Sequence, residues 1–149
     1  MQSQSFTSTF TVEQTPTEAF DAINNVRGWW TGEIEGESEE LGDEFSYRYP
    51  GYHYSRQKIS ESVPGKKIVW RVVDAHLEGF EDPSEWTETV ITFEIAPKPE
   101  GTEIRFSHLG LVPEFECFDS CSGGWGFFVN GSLKRLITTG DGPTQPPWA

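Results

Sequence analysis

Apolar and polar side chains alternate along most of this chain, which is the pattern of β-strands that bury one face. Near the N-terminus the side chains of Phe6, Ser8, Phe10 and Val12 share one face. The same alternation, rich in β-branched and aromatic residues, recurs in DEFSYRYPG (43–51), YHYSRQKISESV (52–63), KKIVWRVVDAHL (66–77), WTETVITFEIAP (86–97) and TEIRFSHLGL (102–111). The pattern predicts one N-terminal strand and, later, a run of about five antiparallel strands joined by turns.

Two short helices are predicted between the first strand and this run. In TPTEAFDAINN, Thr15 is a good N-cap, Pro16 suits the first helical position and Glu18 completes a capping box. The following segment, VRGWWTGEIEG (26–36), predicts a second short helical turn punctuated by glycines.

A longer helix is predicted at the end of the chain, from about Pro113 to Thr139. Its last turns carry an apolar stripe, and Gly140 is a C-terminal stop signal. The middle of this helix contains four glycines, each of which costs roughly 1 kcal/mol relative to Ala: Gly123, Gly124, Gly126 and Gly131. Two explanations are open. Either the glycines let the helix backbone approach the sheet closely, or the chain forms a loop or kink near residues 123–124.

This order of elements predicts an α+β fold, in which a curved antiparallel sheet wraps around the long C-terminal helix. We expect one domain over residues 1–140, followed by a flexible tail at 141–149 that carries three prolines. An internal cavity fits between sheet and helix. With six Trp and eleven Phe in 149 residues, the core is built from large side chains, which leave irregular gaps more easily than Leu and Ile do.

The net charge of −13 argues against binding to nucleic-acid backbones or anionic membrane surfaces, both of which attract Lys and Arg. No apolar run approaches the roughly 18 residues of a membrane span, and the polar residues 1–14 do not resemble an export signal. The expected location is therefore the cytoplasm, with Cys117 and Cys121 as reduced, buried and inert thiols.

Several short motifs give the chain a resemblance to a known family. The order of elements resembles the helix-grip fold of the START and birch-pollen-allergen superfamily. Within it, WWT at 29–31, KIVWRV at 67–72, TEIRFSHLGL at 102–111 and a terminal helix with a central Trp are similar to one branch. That branch is the SRPBCC family related to the C-terminal domain of the heat-shock-protein-90 ATPase activator. The resemblance covers the chain from Phe6 to about Gly140. It implies a cavity that holds an apolar small molecule, although relatives also include cyclases and a co-chaperone.

The leading hypothesis is the binding of an apolar or aromatic, lipid-like small molecule in this cavity, with no defined reaction. Tyr47 and His108 are expected to orient a polar group of the ligand. The predicted cavity residues are Trp30, Phe45, Tyr47, Trp70, Phe93, Phe106, His108, Phe118, Trp125 and Phe128.

Two alternatives stay open. An enzyme of the cyclase or hydrolase kind would use Asp74, His76 or His108 as acid or base, because alternation places the first two on the strand face of Trp70. A chaperone-linked interaction module would instead show an exposed apolar patch. A homodimer is also open, with Trp86 and Trp148 as candidate exposed contacts. No cofactor or metal is expected, since none of the three His lies in a metal motif.

Overall fold

The computed structural model describes residues 6–30, 33–38, 40–49, 53–77, 86–111 and 118–140, with the backbone alone described at 118–120 and 122. Its strands are β1 (Phe6–Val12), β2 (Glu33–Gly36), β3 (Glu44–Tyr49), β4 (His53–Val63), β5 (Lys67–Leu77), β6 (Val90–Lys98) and β7 (Gly101–Leu109). The helices are α1 (Pro16–Asn24), a 3-10 turn (Val26–Gly28), α2 (Phe118–Trp125) and α3 (Lys134–Thr139), with a π-helical segment (Gly126–Leu133) between the last two. The predicted tail at 141–149 lies outside the described residues.

The strands form one antiparallel sheet in the order β1-β7-β6-β5-β4-β3-β2. The first strand returns to pair with the last, so that Phe6 lies opposite His108 and Phe10 opposite Ile104. The α+β prediction, with a curved sheet packed against a C-terminal helix, is confirmed.

The segment after α1 differs in part from the prediction. In the described part of this segment Val26–Gly28 forms a helical turn, while Glu33–Gly36 pairs with β3 as the edge strand of the sheet. The Arg27 guanidinium donates to the backbone carbonyls of Ile34 (3.2 Å) and Gly36 (3.0 Å). Because these two carbonyls belong to the edge strand, the Arg27 side chain ties the helical turn to the sheet.

The first helix begins as its sequence predicts. The Glu18 backbone N–H donates to Thr15 Oγ1, and the Thr15 backbone N–H donates to Glu18 Oε1, each at 3.1 Å. This reciprocal capping box fixes the start of α1 immediately after the first strand.

The structure argues against a loop at the glycines of the terminal helix, and against close approach to the sheet at three of them. It continues through residues 123–124 as α2, without a loop, and then widens into the π-helical segment. A Cβ atom added at Gly123, Gly126 or Gly131 would meet nothing within 4 Å, so these three positions do not enable close approach to the sheet. Close approach does occur at Gly28, where a Cβ would lie 3.0 Å from Leu136 Cδ2 of α3.

The hydrophobic core lies on the one face of the sheet that the helices cover. Alternate residues of every strand from β3 to β7 point into it, whereas the opposite face carries exposed charged side chains. On this outer face Arg71 Nη2 lies 2.7 Å from Glu88 Oε2, a solvent-exposed pair of small energetic value. None of the helices in the described part of the chain is both long and apolar enough to cross a membrane.

Candidate functional site

The inner face of the sheet carries a continuous aromatic cluster. Trp30, which follows the 3-10 turn, stacks on Tyr47 of β3 with ring centroids 4.0 Å apart and contacts Trp125 of α2 at 5.0 Å. Trp70 of β5 contacts Phe93 of β6 at 5.0 Å. The cluster therefore bridges sheet, turn and terminal helix, and its rings are mostly edge-to-face or stacked, as aromatic pairs prefer.

The structure brings nine of the ten predicted cavity residues into this cluster or directly against it. Each of the nine is at least 96% buried, with relative exposures between 0 and 4%. They are Trp30, Phe45, Tyr47, Trp70, Phe93, Phe106, His108, Trp125 and Phe128. The side chain of Phe118, the tenth, lies outside the described residues. Whether these residues bind a ligand stays a prediction.

His108 lies at one end of the cluster and is held by hydrogen bonds with a defined direction. The Trp125 indole N–H donates to His108 Nδ1 at 3.0 Å, and His108 Nε2 lies 2.8 Å from Thr89 Oγ1. Thr89 Oγ1 in turn donates its proton to the Trp86 carbonyl. Since an indole nitrogen can only donate, Nδ1 must accept, and Nε2 carries the proton that it donates to Thr89. His108 is therefore a neutral imidazole of the Nε2–H tautomer.

Burial acts on the protonation of this region in the same sense. Desolvation, assisted by the nearby His53, lowers the pKa of the fully buried His108 to about 3. Desolvation also lowers the pKa of the half-buried His53. Burial, and secondarily Tyr49, raises the pKa of Tyr47, so its phenol stays protonated. At neutral pH the imidazole of His108 and the phenol of Tyr47 are therefore uncharged.

Asp74 and His76 do not share the face of Trp70, and that prediction is wrong. Both side chains are exposed, whereas Ala75 and Leu77 are buried. The cause is a β-bulge: Arg56 pairs with Asp74 but Gln57 pairs with Val72, which leaves one extra residue in β5. An extra residue shifts the alternation by one position. The acid–base pair required by the enzyme hypothesis therefore does not converge on the aromatic cluster.

Sequence reasoning missed three contributors to this site. Trp86, considered as an exposed contact, is 3% exposed, stacks on Trp125 at 5.5 Å and meets His108 edge-on at 4.7 Å. Trp148, the other candidate contact, lies outside the described residues. Thr89 completes the hydrogen bonds of His108, and His53 contacts Trp86 at 4.6 Å. Alternation along β4 was a usable signal for His53, since it shares a face with the buried Ile59.

One of the two cysteines, Cys121, belongs to the residues that the structure describes. Cys121 is half-buried, and its sulfur accepts a hydrogen bond from the Trp86 indole N–H at 3.2 Å. Cys117 lies outside the described residues. Among the residues that the structure describes, no three His, Cys, Asp or Glu side chains are grouped so that they could hold a metal ion.

A line of polar side chains crosses the aromatic face along β4. His53 Nε2 lies 2.8 Å from Ser55 Oγ, and Gln57 Nε2 donates to the same oxygen. The line ends at Gln57 Oε1, which is buried and has no hydrogen-bond partner. On the neighbouring strand, the buried indole N–H of Trp70 also has none. An aromatic face with unsatisfied polar atoms at its centre is suited to binding an uncharged molecule.

Comparisons with known proteins agree with this architecture. The family model described as "Activator of Hsp90 ATPase homolog 1-like protein" matches residues 7–138. No curated protein sequence gives a significant match.

Solved structures share the fold at low sequence identity. The Aha1 dimer from Colwellia psychrerythraea is 21% identical with a TM-score of 0.75, covering 93% of this chain and 99% of that one. The protein MLL2253 from Mesorhizobium loti is 18% identical with a TM-score of 0.70, covering 90% and 96%. CalU16 from Micromonospora echinospora is 16% identical with a TM-score of 0.65, covering 93% and 78%. These identities bear on the fold alone, but the family match spans most of the sequence, and the chain therefore belongs to the family of Activator of Hsp90 ATPase homolog 1-like proteins.

Proposed function

We propose that this protein binds an apolar or aromatic small molecule between the inner face of the sheet and the terminal helix. The observation that carries the proposal is the chemistry of that face: it is aromatic, and among the described residues no Asp, Glu, Lys or Arg side chain is buried. Such a surface favours uncharged, apolar ligands through the area that they remove from water. Folds of this type also commonly hold hydrophobic ligands.

The first test is native mass spectrometry of the protein as purified from its host, followed by denaturation and identification of any small molecule released. A co-purifying apolar molecule supports the proposal and gives the ligand class. The second test is a titration with the neutral fluorescent probe N-phenyl-1-naphthylamine, for which we expect a Kd in the micromolar range.

A matched pair of variants locates the binding. Trp30→Leu removes an aromatic ring from the inner face, where it stacks on Tyr47, and should weaken probe binding about tenfold, corresponding to about 1.4 kcal/mol. Tyr54→Leu removes a ring from the other face of β4, where it contacts Arg48, and should leave binding unchanged. A probe that binds neither to the wild type nor to either variant would refute the proposal.

The other hypotheses receive less support from the described residues. The acid–base pair of the enzyme hypothesis faces solvent. The large exposed apolar side chains that the structure describes, Leu41, Val63 and Leu109, belong to a turn and to the ends of two different strands, which does not favour an interaction module. We also propose a cytoplasmic location. A homodimer is a proposal based on the Colwellia relative, which is a dimer, and sedimentation equilibrium tests it.

A further inference from the structure

The strongest unexplained feature of the inner face is a pair of buried polar atoms with no partner. Gln57 and Trp70 are both 0% exposed, and neither Gln57 Oε1 nor Trp70 Nε1 has a hydrogen-bond partner in the structure. A buried acceptor and a buried donor that stay unpaired each cost free energy, and proteins satisfy the large majority of such groups. Both atoms are therefore available to a polar group bound on this face.

These two atoms belong to one small region of the sheet. Gln57 lies opposite Val72 and Ile59 lies opposite Trp70, so Gln57 and Trp70 are diagonal neighbours on the same face of the β4–β5 pair. Side chains in that relation have Cβ atoms roughly 7–8 Å apart or somewhat closer, within reach of long side chains. Phe45 closes the region from β3, since it lies opposite Gln57 and its ring meets that of Trp70 at 5.0 Å.

The β4–β5 backbone pairing is irregular on both sides of Gln57 and Trp70. Register shifts occur on both sides of the short regular stretch that holds the two residues, one between Arg56 and Gln57 and the other between Ile59 and Glu61. Bulges re-aim side chains and are over-represented next to binding and active sites. The first bulge is also what keeps the charged Asp74 away from the face on which Gln57 lies.

The missing partners define the ligand's polar group. Gln57 Oε1 needs a hydrogen-bond donor, and Trp70 Nε1 needs an acceptor. A hydroxyl supplies both. A carboxylate supplies no donor, and burying its charge is costly on a face where the described residues include no buried Lys or Arg.

We infer that the ligand of this protein is an apolar molecule with one uncharged hydroxyl or similar donor-and-acceptor group, which is recognised by Gln57 and Trp70 at the centre of the aromatic face. This inference rests on the proposed function, because it specifies the ligand of the same site. Ser132 Oγ of the terminal helix, which is 1% exposed and also without a partner, shows that the helix layer carries a buried polar atom too.

The test compares probes that share one ring system. Isothermal titration of the wild-type protein with 2-naphthol, 2-methoxynaphthalene, naphthalene and 2-naphthoate varies only the polar group. We expect 2-naphthol to bind about tenfold more tightly than 2-methoxynaphthalene, which accepts but cannot donate, and 2-naphthoate to bind more weakly than 2-naphthol.

Two variants assign the effect to residues. Gln57→Leu should make the Kd values of 2-naphthol and 2-methoxynaphthalene about equal, while the Kd of naphthalene changes little. Trp70→Phe should weaken the binding of both 2-naphthol and 2-methoxynaphthalene relative to naphthalene, because the oxygen of each compound loses the Trp70 indole N–H as its hydrogen-bond donor. Ile59→Val, on the same face of β4, is the control and should preserve the order of affinities. The wild-type comparison needs no variant and decides the question even if a variant fails to fold.

The outcomes separate the two proposals. If none of the four compounds binds the wild type, the proposed function fails and this inference with it. If naphthalene binds but 2-naphthol has no advantage, or 2-naphthoate binds most tightly, only the inference is overturned. A crystal structure that shows an ordered water between Gln57 and Trp70, retained when 2-naphthol binds elsewhere, would overturn it as well.

Discussion

Acidification should destabilise this protein through His108, whose neutral state is fixed by its partners. Above pH 6.5 the imidazole is neutral in both the folded and the unfolded chain, so it contributes no pH dependence. Between pH 6.5 and about 3, the unfolded chain binds a proton at this residue and the folded protein does not. The unfolded state therefore gains stability as the pH falls, and the stability that neutral His108 maintains above pH 6.5 is lost progressively.

The size of the effect follows from the two pKa values. With an unfolded pKa of about 6.5 and a folded pKa of about 3, the free energy of unfolding should fall by ~2 kcal/mol between pH 7.5 and 5.0 from this residue alone. The geometry explains the sign: a protonated imidazole would place an N–H of its own against the Trp125 indole N–H, which lies 3.0 Å from Nδ1. Two donors cannot share that contact.

The assay is urea unfolding followed by tryptophan fluorescence at pH 7.5, 6.5, 5.5 and 5.0. At an m-value of about 1.5 kcal/mol/M, the loss lowers the urea midpoint by roughly 1.3 M. His108→Gln is the control, since an uncharged amide can accept from Trp125 and donate to Thr89 but cannot titrate. We expect it to be less stable at pH 7.5 and to lose about 2 kcal/mol less on acidification. Contributions from groups that do not interact with His108 cancel in this difference.

Two results would refute this reasoning. One is the same decline with pH in wild type and His108→Gln, within about 0.5 kcal/mol. The other is a nitrogen NMR titration that places the pKa of His108 above 5.5 in the folded protein, or that finds the proton on Nδ1.

Three further predictions concern packing and the exposed pair of β5. Trp29→Ala should destabilise the protein by about 3–5 kcal/mol in chemical unfolding, because Trp29 is 0% exposed and its indole N–H donates to a backbone carbonyl at 3.1 Å; a loss below 1 kcal/mol would contradict this burial. Gly131→Ala should raise the free energy of unfolding by up to about 1 kcal/mol, since the added methyl meets open space. Gly28→Ala should lower the free energy of unfolding, because its Cβ would lie 2.6 Å from the Asn25 amide nitrogen. Equal effects of the two substitutions would refute this difference in packing. Replacing the exposed Asp74 and His76 by Asn and Gln should change stability by less than about 0.5 kcal/mol each and leave binding of N-phenyl-1-naphthylamine unchanged; a tenfold loss of affinity would bring them back to the site.

Local sequence signals were sufficient where the structure depends on residues close in sequence or on regular strand pairing. The capping box of α1 formed as predicted, because its donors and acceptors lie within four residues. Alternation also identified the buried residues of β6 and β7, where the ladder runs from Val90–Leu109 to Lys98–Gly101 without a register shift. In such regular strands the period of two translates directly into burial.

Reasoning from local sequence failed where an irregularity in a strand or helix changed the direction in which side chains point. Alternation predicts that Asp74 faces the same way as Trp70, and a single extra residue in β5 reverses this. The glycines of the terminal helix predicted close packing or a break, and the chain instead continues as a helix in which Gly123, Gly126 and Gly131 face open space. A bulge or a π-helical turn depends on what the neighbouring strand or layer requires, and that requirement is not written in the segment itself.

The sequence by itself thus determined the described strands other than the edge strand β2, the first helix, the fold class and the aromatic composition of the inner face, because these follow from short-range periodicity and capping chemistry. Only the tertiary structure decided which polar atoms meet. Trp125 and His108 are 17 residues apart in the sequence and are joined by a hydrogen bond in the folded chain. Gln57 and Trp70 lie on paired strands, and Gln57 Oε1 and Trp70 Nε1 have no hydrogen-bond partner. Hydrogen bonds form between atoms brought together by the register and by the packing of layers, so the tautomer of His108 and the polar centre of the site are properties of the folded chain.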